Sequence, residues 1–238
     1  MERLVRTLAD LQGMGHEVIL VSSGAIAVGT AKLSLPERPR ELRVKQAVAA
    51  VGQCRMMHIY DKLFSEYNRT VAQILLTGDD VADPDRAEHL TGTFSALLEM
   101  GVIPVVNEND SVSSAEIETG RHKVLGDNDT LSAIVASLCQ ADLLILLSDI
   151  DGLHEADPRT HPGARLIHRV EALTPEILEM AGGAGSWRGT GGMATKLSAA
   201  RIAMDAGCDM VITNGSRIEE LYGIVEGKDI GTRFLAAK

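Results

Sequence analysis

Short apolar runs alternate along the chain with longer segments in which apolar residues recur every three or four positions. The runs predict strands at 17–22, 71–76, 102–106, 143–148 and 210–213. The periodic segments predict helices at 2–12, 85–100, 128–140 and 192–206, and one long helix or a pair of helices at about 41–67. Each run is continuously apolar rather than alternating, which is typical of parallel strands that are covered on both faces.

The alternation of strands and helices predicts an α/β fold. We expect a three-layer αβα sandwich with a mostly parallel central sheet and right-handed crossovers. No repeat, low-complexity tract or linker interrupts the pattern, so residues 1–238 are expected to form one domain. The chain opens directly on the helix at 2–12, although the first element of such folds is often a strand whose turn binds phosphate. Either the fold starts unusually here or a preceding strand is missing, and we expect the domain to lack its first strand.

Charge and composition exclude several classes of protein. The net charge is −10, from 33 acidic and 23 basic residues, without a basic run, so nucleic-acid binding is not expected. Cys54, Cys139 and Cys208 form no CxxC pair and the histidines no HxxxH pair; we predict reduced, mostly buried thiols and no metal cluster. No apolar run approaches the ~20 residues that span a bilayer, which predicts a cytoplasmic protein without membrane contact.

Polar clusters follow the predicted strands at the sheet edge where ligands bind in open parallel sheets. Ser22-Ser23-Gly24-Ala25 follows the first strand, and N–H groups at the start of the next helix can hold an anion there. Asn107-Glu108-Asn109-Asp110 follows the third strand. A simple helix cap also explains the first cluster, and a turn also explains the second.

Three further segments carry candidate chemistry. A predicted β-hairpin at 111–126 returns to Gly126-Asp127-Asn128-Asp129. Asp127 or Asn128 could be a simple helix cap, or the acidic pair could hold a lysine in place or contact magnesium through water. Ser148-Asp149 follows the fourth strand. The glycine-rich segment 189–196 runs into a helix that carries Lys196 in its first turns, a design suited to phosphate, although it lacks the Walker spacing.

Together these segments resemble the glutamate 5-kinases of the amino-acid kinase family. The resemblance rests on SSGAIAVG (22–29), VNENDSV (106–112), GDNDTLSA (126–133), LLSDIDGLHEADPR (146–159) and GTGGMATKLSAARIAMDAG (189–207), and AVGQ (50–53) and EGKDIGTRF (226–234) agree with it. It covers essentially the whole chain. The SGAIA, NEND and GTGGM-x-TK segments are specific in combination.

The resemblance implies a role for each matching residue. Lys196 would contact the phosphoryl groups, and Asp129 would orient catalytic lysine. Glutamate would lie against Ser23, Gly24, Ala25, Asn107, Asp110 and Asn128. The nucleotide would lie against Ser148, Asp149, Gly189, Thr190, Gly191, Gly192, Met193 and Lys196.

The implied reaction is ATP- and Mg²⁺-dependent phosphorylation of the γ-carboxylate of L-glutamate, the first step of proline biosynthesis. The family implies dimers or tetramers, feedback inhibition by proline, and transfer of the acyl phosphate to a glutamyl phosphate reductase. A closing lid, for which the 111–126 hairpin is the candidate, would exclude water.

The chain departs from the family pattern at both ends. No Lys-x-Gly-Ser turn precedes the helix at 2–12, and no C-terminal PUA domain follows residue 238. Two alternatives therefore stand beside the kinase: another carboxylate kinase of this fold, such as an N-acetylglutamate kinase, and an inactive fragment or non-catalytic protein that binds glutamate or proline. A dinucleotide oxidoreductase is not favoured, because no GxGxxG follows the first strand.

Overall fold

The computed structural model describes residues 1–112, 127–156, 158, 160–180 and 192–237. The chain divides into two compact units, Met1–Asn128 and Asp129–Lys238. Each unit has its own sheet in the part of the chain that is described.

The first unit contains a three-stranded parallel sheet in the order β1-β3-β2. Its strands are β1 (Leu20–Val21), β2 (Val71–Leu76) and β3 (Ile103–Glu108), and its helices are α1 (Glu2–Gly13), α2 (Ala25–Lys32), α3 (Leu42–Ser65), α4 (Gly78–Ala82) and α5 (Pro84–Glu99). β3 is central, and its first five residues are buried. The core combines aromatic side chains from α3 and α5, Phe64 and Phe94, with aliphatic residues of β3.

Helices α2 and α3 approach each other closely enough to require glycine at the crossing. A Cβ on Gly52 would lie 1.8 Å from the carbonyl oxygen of Ala25, and a Cβ on Gly29 would lie 2.0 Å from that of Val48. Both distances are far below van der Waals contact, so backbone packs directly on backbone. This contact fixes the start of α2 against α3.

The second unit contains a four-stranded mixed sheet in the order β4-β6-β7-β5. Its strands are β4 (Leu143–Ser148), β5 (Arg169–Val170), β6 (Asp209–Asn214) and β7 (Thr232–Phe234), and its helices are α6 (Asn128–Leu138, whose first residue belongs to the first unit), α7 (Pro175–Met180), α8 (Met193–Asp205) and α9 (Glu220–Val225). β6 pairs in parallel with β4 and antiparallel with β7. The buried alanine face of α8 belongs to the hydrophobic cluster that includes Met210 and Ile212 of β6.

The α/β class with mostly parallel strands and helices on both sides is confirmed. The expected strand at 17–22 is reduced to Leu20 and Val21, because only these two residues pair with Val105 and Val106 of β3. The described strands form two sheets, of three and four strands. The single-domain organisation stays a prediction. Within the described ranges, no helix combines the length and apolarity needed to cross a bilayer.

The three cysteines differ in environment, and the expectation of mostly buried thiols is wrong for Cys54, which is exposed. Cys208 is buried, and desolvation raises the pKa of its thiol to about 11. Since the thiolate is the reactive form, we expect iodoacetamide to alkylate Cys54 in the native protein at neutral pH and Cys208 only after unfolding. Peptide mass spectrometry checks this order, and native labelling of Cys208 at the rate of Cys54 would contradict it.

Candidate active site

In the first unit, two of the polar clusters lie side by side at the carboxyl ends of β1 and β3. Val21 is in register with Val106, and the Ser22 backbone N–H donates to the Val106 carbonyl at 2.8 Å. The segment Ser22–Ala25 therefore begins next to Asn107. Parallel pairing of the two strands is what places both clusters at the same edge of the sheet.

The Ser22–Ala25 turn leads into α2 through a left-handed residue. Gly24 is the N-cap of α2 with φ +92°, a conformation that favours glycine. Because glycine has no side chain, the N-cap residue supplies no side-chain acceptor for the first N–H groups of α2. Ser23 and Gly24 are exposed and Ala25 is buried. This geometry suits an anion at the start of α2.

Asn107, the first residue of the NEND cluster, has a buried amide that is only partly satisfied. The residue is 5% exposed, and its Oδ1 accepts a hydrogen bond from the Glu108 N–H at 2.9 Å. Its Nδ2 is buried and has no acceptor among the described residues. A buried donor without a partner costs about 1–3 kcal/mol, which a bound carboxylate oxygen would recover.

The two other predicted glutamate contacts, Asp110 and Asn128, also belong to the first unit, which ends at Asn128. Asp110 is half-buried in the loop after β3. Asn128 is exposed and is the first residue of α6.

In the second unit, Lys196 and Asp129 form an ion pair. Lys196 Nζ donates to Asp129 Oδ2 at 3.0 Å, and the two side chains are 14% and 23% exposed. Thr195 Oγ1 lies 2.9 Å from the same carboxylate oxygen. One carboxylate from the start of α6 thereby holds two neighbouring side chains of α8.

Lys196 occupies an electrostatically unfavourable position, since it is the fourth residue of α8 and the positive end of a helix dipole disfavours a cation. The Asp129 carboxylate compensates part of this cost. An ammonium group has three donors, and among the described residues Asp129 accepts from one of them, so Lys196 has the capacity to bind a further anion. The catalytic roles of both residues stay predictions.

Several polar side chains lie near the carboxyl ends of β4 and β6. Ser148 is half-buried and Asp149 exposed. Asp151 Oδ1 accepts from Asn214 Nδ2 at 2.8 Å and from Arg217 at 2.6 Å. Asn214 and Arg217 were not predicted as site residues, although the Asn-Gly-Ser that follows the apolar run at 210–213 is a signal that could have indicated them.

Part of the predicted nucleotide site falls where the structure gives no description. Gly189, Thr190 and Gly191 lie outside the described residues, as do residues 113–126 of the predicted lid. Gly192 is the N-cap of α8 with an extended backbone, and Met193 is its first residue. In the described ranges, no group of three histidine, cysteine or acidic side chains is arranged to hold a metal ion.

Comparison with known proteins places the chain in a family. The model of the amino acid kinase family matches residues 1–214. The chain is 54% identical over 237 residues to a glutamate 5-kinase of Clostridium perfringens, covering 100% of this chain and 87% of that protein. It is 54% identical over 238 residues to one of Carboxydothermus hydrogenoformans, covering 100% of this chain and 62% of that protein.

Solved structures of more distant proteins share the fold. A carbamate kinase from Giardia lamblia bound to AMP-PNP matches with a TM-score of 0.66 at 15% identity, covering 99% of this chain and 89% of that one. An isopentenyl phosphate kinase of T. acidophilum matches with a TM-score of 0.57 at 15% identity, covering 98% and 89%. The resemblance seen in the sequence motifs is confirmed: this chain belongs to the amino acid kinase family and, within it, to the glutamate 5-kinases.

Proposed function

We propose that this chain transfers the γ-phosphoryl group of ATP to the γ-carboxylate of L-glutamate, forming glutamyl 5-phosphate in the first step of proline biosynthesis. Identity of 54% over the whole chain to a curated glutamate 5-kinase supports the reaction. The observation that carries the proposal in the structure is the pair of clusters at the ends of β1 and β3. It combines helix N–H groups that have no side-chain cap with the Asn107 Nδ2 donor, which has no acceptor among the described residues.

Glutamate binds in the first unit, which offers hydrogen-bond donors to its carboxylates and oxygen acceptors to its ammonium group. One carboxylate accepts from the N–H groups at the start of α2, beside Ser23, Gly24 and Ala25, where the helix dipole favours negative charge. A carboxylate oxygen also accepts from Asn107 Nδ2. Asp110 and Asn128 supply the oxygen acceptors that the substrate ammonium group requires.

The nucleotide binds in the second unit. Lys196, held by Asp129, places a positive charge against the phosphoryl groups, and Ser148, Asp149 and residues 189–193 border the nucleotide. Mg²⁺ bound to the phosphates of ATP would neutralise part of their negative charge. Such an ion would need only one or two protein carboxylates, so it does not require the three-ligand cluster that is absent from the described residues.

The chemistry requires positioning and charge neutralisation rather than a base. The γ-carboxyl of glutamate has an ordinary pKa of ~4.3, so it is ionised at neutral pH. One of its oxygens attacks the γ-phosphorus in line, the bond from phosphorus to the β–γ bridging oxygen breaks, and ADP leaves with that electron pair. Lys196 neutralises charge that develops on the phosphoryl oxygens. The product is a mixed anhydride.

The nature of the product suggests how the protein works with others. An acyl phosphate hydrolyses readily, so we propose that a glutamyl phosphate reductase consumes it. We also propose a homo-oligomer, a dimer or tetramer, in the cytoplasm. One domain, residues 1–238, would carry the reaction.

Replacing Asn107 with aspartate tests the glutamate site. The variant keeps the oxygen that accepts from Glu108 and replaces the orphaned donor with an acceptor that repels a carboxylate. We expect KM for glutamate to rise by about 10- to 100-fold, while KM for ATP stays within about 2-fold. A coupled assay of ADP release gives both constants. An unchanged KM for glutamate in a folded variant would remove Asn107 from the site.

A further inference from the structure

Helix α3 makes a buried polar contact with the turn that precedes α2. Tyr60 Oη lies 2.9 Å from Ser22 Oγ, and either oxygen can donate. Tyr60 is 6% exposed and Ser22 is 8% exposed. The two residues are 38 positions apart, so this hydrogen bond connects separate elements of the first unit.

Tyr60 is itself held firmly. Its ring lies 6.5 Å from the ring of Phe64, centroid to centroid, and Phe64 is fully buried. A hydroxyl on a ring fixed in this way has little freedom to follow a moving partner. Ser22 therefore receives its orientation from α3 rather than the reverse.

Helix α3 fixes the turn at both ends. Tyr60 holds the side chain of Ser22 at the start, and Gly52 packs against the Ala25 carbonyl at the end. The Ser22 backbone N–H is held independently by Val106 of β3. Between the two fixed points lie Ser23 and the left-handed Gly24, which present the N–H groups of α2 to an anion.

We propose that Tyr60 is a positioning residue for glutamate: through Ser22 it sets the geometry of the turn at which a substrate carboxylate binds, without touching the substrate. This inference rests on the proposed function and adds a residue to its machinery. Oriented N–H donors lose much of their value when they are displaced by a fraction of an ångström to 1 Å. A purely structural hydrogen bond would instead contribute to stability alone.

The test compares Tyr60→Phe, Ser22→Ala and the double variant in the whole chain. Isothermal titration calorimetry gives Kd for glutamate and, separately, for a non-hydrolysable ATP analogue, and steady-state kinetics give both KM values. We expect each single variant to weaken glutamate binding by about 5- to 20-fold and to leave the nucleotide constants within about 2-fold. The double variant should match the single ones, because all three lose the same hydrogen bond.

Two variants control the comparison. Ser22→Thr keeps a hydroxyl and is expected to retain glutamate binding within about 3-fold of the parent chain. Tyr67→Phe removes a hydroxyl from an exposed tyrosine just beyond α3 and should leave every constant unchanged. A lower Tm in Tyr60→Phe with an unchanged Kd for glutamate would reduce the contact to a structural role and overturn the inference.

The calorimetric readout separates this inference from the proposed function. If the parent chain binds and phosphorylates glutamate but Tyr60→Phe binds it equally well, only the positioning role fails. If the parent chain binds no glutamate, the proposed function and the positioning role both fail.

Discussion

Replacing Lys196 with methionine is expected to lower kcat by about 10²- to 10³-fold, the usual effect of losing one preorganised electrostatic contact to a transition state. Methionine keeps much of the length of the side chain and removes only the charge that would neutralise the transferred phosphoryl group. Among the described residues Lys196 donates to Asp129, so the variant also leaves that carboxylate without its cation. Steady-state kinetics with saturating ATP and glutamate measure the effect.

The matched control is Lys228→Met in the same unit. Lys228 lies on the surface in an ion pair with Glu226, in which both side chains are more than half exposed. Such pairs contribute little, so kcat should stay within about 2-fold of the parent chain. A kcat for folded Lys196→Met within about 5-fold of the parent would contradict the role of Lys196 in phosphoryl transfer.

Replacing Gly52 with alanine is expected to destabilise the protein by about 3 kcal/mol or more. The added methyl group would lie 1.8 Å from the Ala25 carbonyl oxygen, a backbone atom that cannot rotate away. Relief requires α2 and α3 to separate, which also displaces the turn before α2. Urea or guanidinium denaturation measures the free energy of unfolding. The Kd for glutamate, measured at low temperature, shows whether the turn before α2 is displaced.

Gly92→Ala in α5 is the control for a helical glycine. Apart from the neighbouring backbone of its own helix, no atom of the described residues lies within 4 Å of the position of a Cβ there, so the substitution gains helix propensity without a clash. We expect an increase in stability of about 0.5–1 kcal/mol. If Gly52→Ala were as stable as the parent chain, the close packing of α2 on α3 would be wrong.

Helices and strands were predictable from the sequence where the period of the apolar residues and the length of the segment indicated the same type of element. The strands at 71–76 and 143–148 match β2 and β4 residue for residue. The segment at 41–67, predicted as one long helix or a pair, is the single helix Leu42–Ser65. Short elements were missed because they lack a full period. β7 has three residues and forms because Met210, Val211 and Ile212 of β6 provide an antiparallel partner, which no local pattern encodes.

The candidate site was predictable in residue type but not in geometry. The polar clusters after the strands predicted where ligands would bind, and the resemblance to glutamate 5-kinases implied a role for each residue; both stay predictions. Burial of Asn107 could not be read from the sequence, because asparagine after a strand is equally typical of an exposed turn. The Tyr60–Ser22 contact joins residues 38 positions apart on different elements and has no signature in the sequence.

The most direct test of the account is trapping of the acyl phosphate by hydroxylamine in the purified chain with ATP and Mg²⁺. Glutamate, aspartate and N-acetylglutamate are compared as substrates, with reactions lacking ATP as blanks. The account predicts an ATP-dependent hydroxamate with glutamate that far exceeds the product from the other two acids. Preferential formation of the N-acetylglutamate hydroxamate, or no glutamate hydroxamate from the folded chain, would contradict it.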